Sequence, residues 1–146
     1  MSFETKIEKY AKLAVVTGVN IQKGQLLVIN ADVDCAWYVR LVVKAAYEAG
    51  ASEVVVNWND GQVNKMRYEY ADDDVLAYFY QWQYAQKKEY IDKNCAFLSI
   101  GSPDPTLLSH IDSHKLKLAQ MATSQGMQAL RYYTASNQGQ WSVELL

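Results

Sequence analysis

The feature that most constrains the fold of this chain is a set of three short apolar runs, separated by segments long enough to form helices. The runs are LLVINA at 26–31, SEVVVNW at 52–58 and CAFLSI at 95–100. Short apolar runs bounded by polar turns are typical of strands buried on both faces of a parallel sheet. The three runs therefore predict three buried strands of such a sheet.

The segments around the first two runs have the apolar spacing of helices. The first 18 residues place apolar side chains on one face and Glu and Lys on the other, and Gly18 is positioned to end the helix. An apolar stripe then extends over 38–49 and stops at Gly50. A strand, a helix and a strand within about 35 residues predict a βαβ unit with parallel strands and a right-handed crossover.

The segments on either side of the third run predict further helices. One long helix is expected over about 72–92, with ADDD as its cap and as negative charge at its N-terminal end. SPDP at 102–105 predicts a turn in which Asp104 is an N-cap and Pro105 is the first residue of a short helix.

A longer helix is expected over about 112–135, and QWSVELL at 140–146 is expected to form a further strand. The order of elements predicts one α/β domain over 1–146. Its architecture is expected to be a three-layer sandwich around a mainly parallel, Rossmann-like sheet of about four or five strands.

The composition excludes several classes of protein. Hydrophobic residues make up 50% of the 146 residues, charged residues make up 21%, and the net charge of −2 comes without a basic stripe, so no nucleic-acid partner is expected. No apolar run approaches the roughly 20 residues of a membrane helix, and the polar start does not resemble a signal peptide. Cys35 and Cys95 lie in apolar segments and are expected to be buried thiols of a reducing compartment, so the expected location is the cytoplasm.

Acidic and amide side chains follow the predicted strands. Ligands of open α/β sheets bind outside the carboxyl ends of the strands, and oxygen ligands suit Mg²⁺. Asp32, Asp34 and Asp60 are therefore the candidate ligand-binding residues. The alternative is that these side chains cap helices and form turns. The other polar or small residues at these strand ends are Asn57, Asn59, Gly61, Gly101, Ser102 and Asp104.

Motifs for phosphate binding and for a serine nucleophile do not occur in the sequence. There is no GxGxxG, GxxxxGK[ST] or GxSxG, and NADVDCAW places two acids where a phosphate would bind. Cys35 lies near a predicted helix N-terminus, which favours a thiolate. Asp32 and Asp34 oppose that effect, so we expect an inert thiol.

Both histidines of the chain lie in HIDSH at 110–114, a spacing that would place two imidazoles on one face of a helix, as in zinc peptidases. The zinc motif requires Glu directly after the first His and a third ligand downstream, whereas Ile111 follows His110 and no further histidine exists. Asp112 is expected to cap a helix, so that His110 and His114 need not share a face. The HIDSH segment is therefore not expected to be a metal site.

The segment 68–90 contains more aromatic residues than one buried helix face accommodates. They could belong to the core, to a peptide-binding surface or to an interface, where Tyr and Trp are enriched. We predict Tyr80, Trp82 and Tyr84 as interface residues. The eight aromatic residues are Tyr68, Tyr70, Tyr78, Phe79, Tyr80, Trp82, Tyr84 and Tyr90.

Two stretches resemble the start of a known peptidase family. EKYAKLAVVTGVNIQKGQLLVINADVD at 8–34 and VKAAYEAGASEVVVNWND at 43–60 are similar to the thermophilic metallo-aminopeptidases, the family of aminopeptidase T, aminopeptidase S and PepS. The pattern includes a G-[VL]-N-[IL]-Q-x-G-[QH] turn and an A-Y-x-x-G-A helix end. The SPDP turn, the IDSHKL segment and the final W-S-V strand follow in the family's order, so the resemblance covers nearly the whole chain.

The resemblance implies that this chain is the N-terminal domain of a longer two-domain aminopeptidase that removes N-terminal residues from peptides. It implies divalent metal ions (zinc, cobalt or magnesium) held by Glu, His, Tyr and Asp of a C-terminal domain outside this sequence. His110 and His114 match none of the family's ligand positions. The chain alone is therefore expected to bind no metal and to be inactive. The family's homodimers suit the surplus of aromatic residues.

Two other hypotheses stay open at this stage. A stand-alone α/β module could bind a small ligand or Mg²⁺ at Asp32, Asp34 and Asp60, although it would lack the fifth strand and the later Lys of receiver domains. An interaction domain could use the aromatic helix alone.

Overall fold

The apolar runs form a sheet of four parallel strands in the order β2-β1-β3-β4. The computed structural model describes residues 2–102, 104–130 and 141–145. The α/β class with a mainly parallel sheet is confirmed. The fourth strand is also confirmed, although residues 140 and 146 of the predicted run lie outside the described residues. The strands are β1 (Leu26–Asp32), β2 (Glu53–Asn59), β3 (Ala96–Gly101) and β4 (Trp141–Leu145).

Six α-helices lie in the described part of the chain. A π-helical turn, Ala14–Gly18, continues the first helix, and 3₁₀ turns occur at Val33–Cys35 and Gln128–Leu130. No helix among residues 2–102, 104–130 and 141–145 is both long and apolar enough to cross a bilayer. The helices are α1 (Phe3–Leu13), α2 (Ala36–Glu48), α3 (Gly61–Tyr70), α4 (Asp73–Leu76), α5 (Gln81–Asp92) and α6 (Ser113–Gly126).

The chain divides into two compact units. The first contains the sheet, α1 and α2, and is made of the described residues within Met1–Asn59, Asp92–Pro103 and Gly139–Leu146. The second is made of the described residues within Asp60–Ile91 and Asp104–Gln138, and in it α4 contacts α6.

The core of the first unit lies between one face of the sheet and the helices α1 and α2. Side chains alternate between the two faces of a strand, so Leu27, Ile29 and Ala31 of β1 point into this core. Asn30 and Asp32 of the same strand point to the opposite face. The strand β1 therefore places its two polar side chains together on the face away from the core.

Gly50 ends α2, as predicted, because it adopts a backbone that other residues rarely adopt. Its φ is +107°, and its carbonyl accepts a hydrogen bond of 2.7 Å from the Gly24 amide. A Cβ at this position would lie 3.3 Å from Lys23 Cα. Gly50 thus joins the end of α2 to the turn that precedes β1.

The prediction of one long helix over 72–92 is wrong. The segment contains the short α4 and then α5, and residues 77–80 between them are not helical. The Phe79 ring lies so close to Gly126 of α6 that a Cβ there would be 2.2 Å from it. Tertiary packing of this ring therefore overrides the local helical preference, and the Tyr80 amide bonds to Gln83 Oε1 at 3.3 Å.

The helix cap predicted at 71–74 and the segment before it both differ from the prediction. Asp72 occupies the N-cap position of α4 but makes no capping hydrogen bond through its side chain. The helix α3 was not predicted, because its sequence has no clear apolar face and none of its residues is buried.

The short helix predicted after SPDP is also wrong, because residues 105–110 form successive turns. Asp104 Oδ1 accepts hydrogen bonds from the Thr106 amide at 2.9 Å and from the Thr106 hydroxyl at 2.7 Å. The hydroxyl bond and then the amide bond hold the pKa of the Asp104 carboxyl below its usual value. Asp104 therefore closes a local turn, which competes with helix formation.

The later helix is shorter than the predicted 112–135. It ends at Gly126 and is followed by the 3₁₀ turn, while residues 131–135 lie outside the described residues.

Candidate functional site

Asp32 joins the carboxyl ends of three parallel strands. Its Oδ1 accepts a hydrogen bond of 3.2 Å from Nδ2 of Asn59, its register partner at the end of β2. Its Oδ2 accepts one of 2.9 Å from the backbone amide of Ser102, directly after β3. Gly101 permits this approach, since a Cβ there would lie 3.3 Å from Oδ2. The carboxylate thus connects β1 to both of its neighbours.

A second polar pair lies two residues earlier on the same face. Asn57 Nδ2 donates to Asn30 Oδ1 at 3.3 Å, and these residues are also register partners. Because parallel strands pair in register, the sequences INAD and VNWN place their amide and carboxylate groups side by side. The polar edge is therefore a direct result of strand alternation.

A cavity of about 300 Å³ opens at this edge of the sheet, within the first unit. Asn30, Asp32, Asn59, Ser99 and Gly101 line it together with Ala31 and Ile100. The sequence prediction includes Asp32 but neither Asn30 nor Ser99 as site residues. Their spacing in the sequence could have identified them, since Asn30 lies two residues before Asp32 and Ser99 two residues before Gly101, on the same face of their strands.

Asp34 and Asp60 have other surroundings. Asp34 is exposed in the 3₁₀ turn that precedes α2 and does not line the cavity. Asp60 caps α3, because its Oδ1 accepts hydrogen bonds from the amides of Gln62 at 2.9 Å and Val63 at 3.4 Å. The alternative interpretation, that carboxylates at strand ends cap helices, is confirmed for Asp60.

Cys35 is buried and has the character of an inert thiol. Burial raises the pKa of its thiol, and the negative charges of Asp32 and Asp34 raise it further. A nucleophilic cysteine requires the opposite shift. Neither Cys35 nor Cys95 forms a disulfide, and both are buried, as predicted.

The described residues do not fit a metal centre. No three His, Cys, Asp or Glu side chains among them are grouped so as to hold an ion. Each oxygen of Asp32 already accepts a hydrogen bond from an N–H donor, and Asp32 is the only Asp or Glu among the described residues that line the cavity. The strand-end carboxylates therefore do not support the Mg²⁺ hypothesis.

The HIDSH segment forms a helix cap. Asp112 Oδ1 accepts a hydrogen bond of 2.9 Å from the His114 amide and caps α6, as predicted. His110 lies in the preceding turn, whereas His114 Nε2 lies 3.6 Å from Asp73 Oδ2. The two imidazoles therefore have different surroundings.

Three aromatic rings near the start of α5 form an exposed cluster. The rings of Tyr78 and Tyr80 lie edge to face at 4.9 Å, and those of Tyr80 and Trp82 are stacked at 6.2 Å. Tyr80 is 44% exposed and Trp82 is 63% exposed, while Tyr84 is half-buried. The core interpretation is therefore wrong for Tyr80 and Trp82, and the interface role of Tyr80, Trp82 and Tyr84 stays a prediction.

The parallel sheet and its helices define an open α/β domain with a cavity at the carboxyl ends of its strands. The chain belongs to the family described as thermophilic metalloprotease (M29), whose family model matches residues 3–146. The family resemblance inferred from 8–34 and 43–60 is therefore confirmed.

Known relatives are aminopeptidases by name. The chain is 41% identical to aminopeptidase AmpS from Bacillus subtilis (strain 168) over 142 residues, which cover 97% of this chain and 35% of that protein. It is 33% identical to aminopeptidase 2 from Geobacillus stearothermophilus over 141 residues, which cover 97% of this chain and 34% of that protein.

A solved structure described as wild-type AmpT from Thermus thermophilus has the same fold. The two structures superpose with a TM-score of 0.92 at 26% identity, and the superposition covers 99% of this chain and 36% of the AmpT chain. The chain thus spans about a third of the length of the relatives that it matches.

Proposed function

We propose that the protein to which this chain belongs is a metal-dependent aminopeptidase that removes N-terminal residues from peptides. The observation that carries this proposal is the 41% identity to aminopeptidase AmpS over 97% of the chain. The match to a metalloprotease family over residues 3–146 supports the dependence on a metal.

The chain itself is proposed to be the N-terminal domain of a longer two-domain enzyme and to be inactive alone. Two observations support this. The chain matches only 34–36% of each of the relatives described above, and its described residues include no group that fits a metal ion. The divalent ions, zinc, cobalt or magnesium, would then be held by residues outside this chain.

The assembly proposed for the enzyme is a homodimer in the cytoplasm. The exposed rings of Tyr80 and Trp82, next to Tyr84, support an interface, because aromatic side chains with polar tips are enriched at contacts between subunits. Their location in the second unit limits this proposal to that unit's surface.

A hybrid enzyme tests the proposed function. In the hybrid, this chain replaces the 142-residue region of aminopeptidase AmpS that it matches. We expect the hybrid to release leucine from a leucyl peptide, to lose this activity with a chelator and to regain it with added divalent metal. Release of leucine by residues 1–146 alone would contradict the proposal that this chain is inactive by itself. A folded but inactive hybrid would contradict the proposed function.

A second candidate function is a small-ligand-binding module that acts without peptidase activity. The cavity at Asp32 is the observation that favours it. The hybrid separates the two candidates, because a binding module of unrelated function would not restore a peptidase.

A further inference from the structure

The cavity beside Asp32 lies where open parallel sheets bind their ligands. The chain passes from β1 to β2 on one side, and β3 then pairs with β1 on the other side. The strand order therefore changes direction between β1 and β3, and ligands of open α/β sheets bind in the crevice at such a point. The cavity is lined from both of these strands, by Asn30 and Asp32 of β1 and by Ser99 and Gly101 of β3.

In the described part of the chain, no lysine or arginine balances the negative charge that Asp32 gives this cavity. Within residues 2–102, 104–130 and 141–145, no lysine or arginine forms an ion pair with Asp32, and none lines the cavity. A carboxylate has about four lone-pair sites, and two of those on Asp32 accept from Asn59 and Ser102. The remaining sites can accept from a ligand, and the charge favours a cationic ligand and disfavours a phosphate.

The remainder of the lining suits a small polar molecule. The Asn30 side-chain amide and the Ser99 hydroxyl can bond to neutral groups, and Gly101 leaves space beside the carboxylate. The volume of about 300 Å³ is at the lower end of the range of roughly 300–1,000 Å³ for ligand pockets. A cavity of this volume can hold a single aminoacyl group, whereas it is too small to hold part of another protein's surface.

We propose that this cavity binds the free α-ammonium group of a small aminoacyl ligand, with Asp32 as its counter-ion and Asn30 as a partner of the adjoining amide. The identification of this ligand as the N-terminal residue of a peptide substrate rests on the proposed function. The binding of the ammonium group is a property of this chain alone.

Nuclear magnetic resonance titration of the 1–146 chain tests the proposal with two matched probes. Leucinamide carries an α-amino group and a neutral amide, and 4-methylpentanamide is the same molecule without the amino group. At pH 6.5 the amino group is protonated, because its pKa is about 8. We expect saturable shifts at the amides of residues 30–32 and 101–102 with leucinamide, and binding of 4-methylpentanamide at least about tenfold weaker.

Equal binding of the two probes would overturn the proposal, and so would shifts that lie elsewhere in the chain. Leucinamide binding should also weaken as the pH rises past about 8 and the amino group loses its proton.

Substitutions identify the carboxylate. Asp32→Asn removes the charge at nearly constant size and should weaken leucinamide binding at least about tenfold, whereas Asp34→Asn, outside the cavity, should leave it unchanged. Asn30→Lys leaves the hydrogen bonds of Asp32 in place and adds a competing ammonium group, so it should also weaken binding. Unchanged binding by folded Asn30→Lys protein would overturn the proposal, whatever the stability of Asp32→Asn.

The hybrid enzyme separates this inference from the proposed function. In an active hybrid, Asn30→Lys should raise KM for a peptide with a free N-terminus at least about tenfold and change kcat less. An active hybrid with an unchanged KM would overturn the inference and leave the function intact. An inactive hybrid would overturn the function, while the leucinamide titration would still decide the binding of the ammonium group.

Discussion

The Asp32 carboxylate accepts a hydrogen bond of 2.9 Å from the backbone amide of Ser102, 70 residues further along the chain. Together with the 3.2 Å bond from Asn59, this contact makes one side chain the link between the ends of β1, β2 and β3. The same link forms one wall of the cavity at the sheet edge. Asp32 is therefore expected to contribute to stability as well as to binding.

Replacing Asp32 with alanine should lower the free energy of unfolding by about 1–3 kcal/mol, because two N–H donors lose their acceptor. Asp34→Ala is the matched control, since Asp34 is exposed and lies outside this network, and its effect should be within about 0.5 kcal/mol. Urea unfolding monitored by tryptophan fluorescence measures both values. Equal effects of the two substitutions would contradict the structural role of Asp32.

Gly50→Ala should destabilise the chain more than Gly24→Ala. Both glycines have positive φ, +107° and +80°, so alanine is strained at either site by about 1–2 kcal/mol. Only at Gly50 would the new Cβ also approach Lys23, at 3.3 Å from Cα, whereas at Gly24 it meets nothing within 4 Å. Melting temperatures of the two variants check this order. A lower melting temperature for Gly24→Ala than for Gly50→Ala would show that the approach to Lys23 does not add to the destabilisation.

Gly126→Ala should destabilise the second unit, although alanine favours a helix by about 1 kcal/mol over glycine. A Cβ at Gly126 would lie 2.2 Å from the Phe79 ring, so the ring must move. In a Phe79→Ala background the same substitution should become neutral or stabilising. A double-mutant cycle from urea unfolding measures this coupling, and additive effects would contradict the contact between ring and helix.

The raised pKa of Cys35 gives a pH dependence with a defined sign. A thiol whose pKa is higher in the folded state than in the unfolded state stabilises the fold most at pH values below its pKa in the unfolded chain. This contribution is lost as the pH rises from about 8.5 through the folded pKa. The difference in unfolding free energy between the wild type and Cys35→Ala should therefore narrow above pH 8.5. A widening difference would indicate a lowered pKa and a reactive thiolate.

The sheet was predictable because its strands are encoded locally. LLVINA and CAFLSI carry apolar residues that are buried in β1 and β3, and Gly50 marks a helix end by its backbone preference. SEVVVNW also forms a strand, but it is the edge strand β2 of the described sheet and none of its residues is buried, contrary to the prediction of a strand buried on both faces. The same alternation that buries Ile29 exposes Asn30, so the polar edge at Asp32 could be located from the strand itself.

The broken helix at 77–80 was not predictable in this way. The cause lies about 47 residues away, where Gly126 accommodates the Phe79 ring, and no local pattern records that contact. The hydrogen bond from Ser102 to Asp32 depends in the same way on strand order. Sequence reasoning therefore finds the carboxylate and places Asn59 and Ser102 at neighbouring strand ends, but it does not predict that their N–H groups donate to Asp32.

The most direct test of the central claim is the peptidase activity of the hybrid in which this chain replaces the matching 142 residues of aminopeptidase AmpS. We expect metal-dependent release of leucine by the hybrid and none by residues 1–146 alone. A folded hybrid without activity, with or without added divalent metal, would contradict the proposed function.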